Sequence, residues 1–117
     1  MTPALEAIFG NRTAAAVLLF LGNYGSGYAS RIAKDFTMPV SVVQDQLRRL
    51  EAAGVLISRT VGRTRVFEFN PRSPTATRLR EFIAVELKAL PDEIVKKYFR
   101  GRQRPRRTGK KLERADR

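Results

Sequence analysis

The side chains in this chain best suited to molecular recognition lie between residues 39 and 65. In PVSVVQDQLRRLEAAG (39–54), Ser41, Gln44, Asp45 and Arg48 occupy positions i, i+3, i+4 and i+7, which places them on one side of a helix. Val42 and Arg49 flank that side. A glutamine amide matches the edge of adenine, and an arginine fork matches guanine. Arg59, Arg63 and Arg65 follow in a basic stretch, and Ser30 and Arg31 precede it. Such groups recognise by hydrogen bonds and charge. The chain has neither cysteine nor histidine, which removes disulfides, thiolate metal sites, the commonest general base and the commonest transition-metal ligand. The carboxylates, lysines, serines and threonines that remain form no cluster at a recognisable catalytic spacing. Pairs such as Glu81/Glu86 and Asp92/Glu93 read as solvated surface. No enzymatic activity, cofactor or metal is expected.

The charge balance points the same way. With 23 basic and 11 acidic residues, the 117-residue chain carries a formal net charge of +12, which calls for an anionic partner, nucleic acid ahead of membrane. Of that charge, +7 lies in RGRQRPRRTGKKLERADR (100–117), where nine basic residues face two acids. This segment has too little apolar content to order itself and reads as a disordered basic tail that binds phosphate without sequence preference. The remainder, in a chain that is 43% hydrophobic, suffices for one modest core. No apolar run approaches the roughly 18 residues of a spanning helix. The N-terminus lacks the pattern of a signal peptide. A cytoplasmic, nucleoid-associated protein with no membrane partner is the expectation.

Helices and a hairpin must position these groups. Thr2-Pro3 and Gly10 delimit a short helix over roughly 3–9, with Leu5, Ile8 and Phe9 on its apolar side. Asn11 caps a second helix to about Leu21; its run AAAVLLFL is apolar nearly all round and belongs at the centre of the core. GNYGSG (22–27) reads as a loop. Tyr28 to Phe36 returns to helical period, with Ala29, Ile32, Ala33 and Phe36 inward. Pro39 then forces a break at Thr37-Met38. The helix after this tight turn buries Val43, Leu47 and Leu50 and stops at Gly54. Short helix, turn and longer helix have helix-turn-helix spacing.

Val55–Val61 and Thr64–Asn70 read as two strands joined through a type II′ turn at Gly62-Arg63. That register pairs Leu56 with Phe69 and Ser58 with Phe67. Leu56, Phe67 and Phe69 then share one face, with Arg59 and Val66 on the other. Asn70-Pro71 ends the hairpin. Ser73-Pro74 opens a helix carrying Leu79, Phe82, Ile83, Leu87 and Leu90. A further short helix beyond Pro91 carries Ile94, Val95, Tyr98 and Phe99. These last amphipathic segments call for another surface, most economically a second copy of the chain.

In this order of elements the chain resembles bacterial winged helix-turn-helix transcription regulators. The likeness is closest to the ArsR-like group, with MarR-like regulators as near neighbour. It is carried by YASRIAKDFTMPVSVVQDQLRRLEAAGVLISRTVGRTRVFEFNP (28–71), above all by LRRLEAAGVL joined to VGRTRVFEFNP, and covers about the first 90 residues. The resemblance implies a mostly α fold with a β-hairpin wing (α+β): a DNA-binding domain over 1–72, dimerisation helices over 73–99, and the basic tail outside the likeness. It further implies a homodimeric repressor that binds a double-stranded DNA site. Ser41, Val42, Gln44, Asp45 and Arg48 would face the bases, with Asp45 accepting from cytosine or only orienting Arg48 or Arg49. Ser30 and Arg31 would face the backbone, Arg63 a narrow minor groove and Arg65 phosphate. Leu5, Ile8, Phe9, Leu79, Phe82, Ile83, Leu87 and Leu90 would make the dimer contacts. ArsR-like metal sensors use Cys or His ligands, which this chain lacks, so metal sensing of that kind is not expected. An effector would have to bind at the dimer interface, among Phe9, Phe82 and their neighbours. Two alternatives stand beside this reading: an architectural or RNA-associated protein driven by the tail, and a winged domain used as a protein adaptor.

Overall fold

The computed structural model describes residues 2–100. Eight elements follow one another: α1 (Pro3–Phe9), α2 (Arg12–Tyr24), α3 (Ala29–Phe36), α4 (Val40–Ala52), β1 (Leu56–Val61), β2 (Thr64–Phe69), α5 (Pro74–Lys88) and α6 (Asp92–Tyr98). This is a winged helix-turn-helix, mostly helical with one antiparallel hairpin.

The second helix is the axis on which the others pack. Eight consecutive residues, Ala14 to Leu21, are buried, as a helix apolar on every side requires. Asn11 caps it through Oδ1, which accepts from the Ala14 N–H at 2.7 Å. Gly10, at φ +90°, turns the chain out of α1, and α1 and α2 meet at 106°. Arg12 donates from Nη2 to the Phe36 carbonyl at 3.3 Å, so the start of α2 also satisfies the end of α3. Among the described residues no single helix is long and apolar enough to cross a membrane.

Two glycines expected in a loop prove to be packing residues. The helix α2 runs on through Gly22 and Asn23 to Tyr24, three residues past its expected end. A Cβ at Gly22 would lie 2.4 Å from Ile83 Cγ2, so the missing side chain lets α5 approach α2. Gly27 forms a one-residue bridge to Phe67, donating to its carbonyl at 3.0 Å and accepting from its N–H at 2.8 Å. A Cβ there would lie 2.5 Å from Phe20 Cε1. Close backbone approach, not turn conformation, requires glycine at both positions.

The hairpin has the expected register, Leu56 opposite Phe69 and Ser58 opposite Phe67. Gly62 has φ +64° and Arg63 does not share the positive φ, as a type II′ turn demands. Leu56, Phe67 and Phe69 are buried against the helices. Asn70 closes the base of the hairpin, donating from Nδ2 to the Gly54 carbonyl at 2.9 Å.

The C-terminal helices fold back on the same core. Ser73 caps α5, accepting from the Ala76 N–H at 3.0 Å, and Ile83 is fully buried. The Tyr98 ring stacks on Phe36, centroids 4.7 Å apart at an interplanar angle of 5°. Asn23 Nδ2 donates to the Phe99 carbonyl at 2.9 Å, and the Tyr24 hydroxyl donates to the Tyr98 carbonyl at 3.1 Å. One hydrophobic cluster thus includes Leu5, Ile83, Leu90 and Phe99. This corrects part of the expected dimer contact set. Leu5 and Ile83 are interior, and Leu90 nearly so, because the grooves beside α2 are filled by the chain's own helices. Phe9, Leu79 and Leu87 are partly buried against that core. Only Ile8 and Phe82 of the set are exposed, together with Val85, which the sequence reading had not singled out. The expected tail, apart from Arg100, lies outside the described residues.

Candidate nucleic-acid interface

The turn before α4 fixes how that helix is presented. Thr37 closes α3 in the left-handed region, φ 55°, an unfavourable conformation for a β-branched residue. Its N–H bonds to Lys34 O, and the Met38 N–H bonds to Ala33 O at 2.9 Å, so the carbonyls ending α3 are satisfied despite the strain. Pro39, extended, then launches α4. The buried face of α4 is Val43 and Leu47, with Leu50 half-buried. Ser41, Val42, Gln44, Asp45, Arg48 and Arg49 are all exposed on its outer surface.

Between the start of α3, the outer face of α4 and the hairpin lies a groove of about 300 Å³. It brings together five of the residues singled out from sequence: Ser30, Gln44, Arg48, Arg63 and Arg65. Tyr28, Ala29, Val40, Thr64 and Phe67 complete its lining. Among the described residues the lining contains three arginines and no carboxylate, and the positive end of the α3 dipole lies at the same end of the groove. Arg48 and Arg63 have no hydrogen-bond or ion-pair partner among the described residues. Their guanidinium groups are available to an anion.

The other predicted residues are placed differently. Ser41, Val42 and Asp45 are on the exposed surface of α4 but outside the groove lining. Asp45 pairs with neither Arg48 nor Arg49, and Arg49 instead donates to Gln46 Oε1 at 3.0 Å. Arg31 is held by Asp35, Nε to Oδ2, at 3.0 Å. Arg59 sits opposite Val66 on the hairpin face turned away from the core.

Sequence reasoning missed a polar cluster behind the groove. Arg65 Nε donates to Ser58 Oγ at 3.0 Å, and Ser58 Oγ donates to Glu51 Oε2. Arg65 Nη2 lies 3.8 Å from that same carboxylate oxygen. The signal was present in the register, since period-two alternation puts Ser58 and Arg65 on one hairpin face. What it lacked was the placement of Glu51 beneath that face. No three His, Cys, Asp or Glu among the described residues gather as metal ligands would.

Compared with known proteins, the chain matches no family model, and no curated protein matches it. Solved structures do. It is similar to the MarR family transcriptional regulator SPO1453 from Silicibacter pomeroyi, with a TM-score of 0.55 and 21% identity over 72% of this chain and 60% of that one. The YusO protein from Bacillus subtilis gives a TM-score of 0.55 at 20% identity, covering 78% of this chain and 72% of that one. The AntR antimony-specific transcriptional repressor gives 0.52 at 21% identity, covering 74% and 76%. At these identities the likeness establishes the shared winged-helix fold.

Proposed function

We propose that this chain is a transcriptional regulator that binds double-stranded DNA in a sequence-specific manner as a homodimer, and that it acts as a repressor. The observation that carries the reading is the groove in which Gln44 and Arg48 of α4 meet Arg63 and Arg65 of the wing. In it, groups suited to base edges stand beside groups suited to phosphate. The helix α4 enters the major groove with Gln44 and Arg48 reading bases, Ser41 and Val42 in support, and Asp45 accepting from cytosine. Ser30, Arg49 and the wing arginines hold the backbone, with Arg63 at the tip reaching a narrow minor groove. Two copies read half-sites about one helical turn apart. The exposed apolar side chains Ile8, Phe82 and Val85 support self-association. MarR-like and ArsR-like regulators both fit this reading; the ArsR-like subtype rests on the sequence phrases alone.

Duplex selection followed by binding measurements at several salt concentrations tests the proposal. The expected result is a selected, roughly palindromic site, each mismatch in it costing about 1–3 kcal/mol. A steep salt dependence without sequence preference would sink it and leave a non-specific packer. Sedimentation of the free protein checks the dimer.

A further inference from the structure

The cluster of Glu51, Ser58 and Arg65 links the last turn of α4 to both strands of the wing. It is the one set of side-chain polar contacts among the described residues that joins these three elements. We propose that Glu51 is a positioning residue for DNA binding: through Ser58 it fixes the Arg65 guanidinium at the groove, already in the geometry that receives phosphate. This rests on the DNA-binding reading above and names a residue that reading does not use.

The chemistry favours positioning over simple competition for Arg65. A guanidinium has five N–H donors in a rigid fork. Nε is used by Ser58 Oγ, while Nη2 stands 3.8 Å from Glu51, beyond hydrogen-bond length. The Nη1 donors therefore remain for an anion, and the Arg65 side chain is 62% exposed to meet one. Glu51 is only 30% exposed and lies behind Ser58, so DNA phosphate meets Arg65 before it meets the carboxylate. An arginine otherwise loses much rotamer freedom on binding, and restraint in the free protein removes part of that cost. Arg48 and Arg63 line the same groove without any such restraint among the described residues.

The test uses the full chain and the selected duplex, with Glu51→Ala, Glu51→Gln, Arg65→Ala and the Glu51→Ala/Arg65→Ala double variant. Thermal unfolding of each variant confirms that it is folded. Positioning predicts that Glu51→Ala weakens binding about three- to tenfold. Glu51→Gln, which keeps an acceptor for Ser58, should restore wild-type affinity or exceed it, and Glu51→Ala should add nothing once Arg65 is gone. Tighter binding by both Glu51 variants would show a mere competitor and overturn the proposal, as would an unchanged affinity in Glu51→Ala. A readout without DNA separates this from the function itself. The Arg65 Nε–H resonance should be protected from solvent exchange in the wild type and lose that protection in Glu51→Ala. Equal exchange in the two proteins overturns the positioning. Arg63→Ala, which leaves the cluster intact, reports on the DNA reading: if it binds as tightly as the wild type, the interface is wrong whatever Glu51 does.

Discussion

The two sides of the molecule are built on opposite rules. Around the last turn of α2, Gly22 admits Ile83, Gly27 admits Phe20, and Tyr98 stacks on Phe36. Every large group there has a neighbour, and no polar or charged residue is buried among the described residues. Across the groove between α4 and the wing, Arg48 and Arg63 have no hydrogen-bond or ion-pair partner among the described residues. Like charges gathered at a surface repel one another, so they contribute nothing to stability and are tolerated only because the packed side holds the scaffold. The difference teaches that the proposed binding groups are carried by a framework which does not depend on them. Substitutions on one side should therefore alter stability and on the other affinity, with little exchange between the two.

The largest effect, and the most direct way to break that division, is expected from Phe20→Ala. It empties a fully buried site and should destabilise the protein by about 3–5 kcal/mol in denaturant unfolding. The fraction still folded should bind duplex with unchanged affinity; a parallel loss of affinity would show that core and groove are coupled. Gly22→Ala and Gly27→Ala come next. Each puts a Cβ under 3 Å from a buried side chain, and overpacking of that kind should cost about 1–3 kcal/mol of stability. Were either neutral, close approach would not be the reason for glycine. Arg48→Ala should have the smallest effect on folding, within about 0.5 kcal/mol. It should nevertheless cost about 1–3 kcal/mol of discrimination at one base position in the selected site. A uniform loss at every sequence would instead make Arg48 a phosphate contact.

Much of this arrangement was legible in the chain. The Asn11 and Ser73 caps, the stops at Gly10 and Gly54, the Thr37–Pro39 break and the II′ turn at Gly62 are local signals. Each is set by backbone groups within a few residues, so each was found where the sequence put it. The hairpin register followed from the turn, and the exposed face of α4 followed from helical period. The errors share one cause. Gly22 and Gly27 were read as loop residues because the neighbours that make glycine necessary, Ile83 and Phe20, are set by tertiary packing. Ile83 and Leu5 were assigned to a dimer contact because an apolar stripe does not say what covers it.

By itself, then, the sequence determined the elements, their order, the turn chemistry and the basic character of the surface, all of which depend on short-range sterics and composition. Only the tertiary structure decided which apolar stripes are interior, which of the arginines converge on one groove, and that Glu51 stands beneath Arg65. Those are distances between segments far apart in the chain, and no periodicity encodes them.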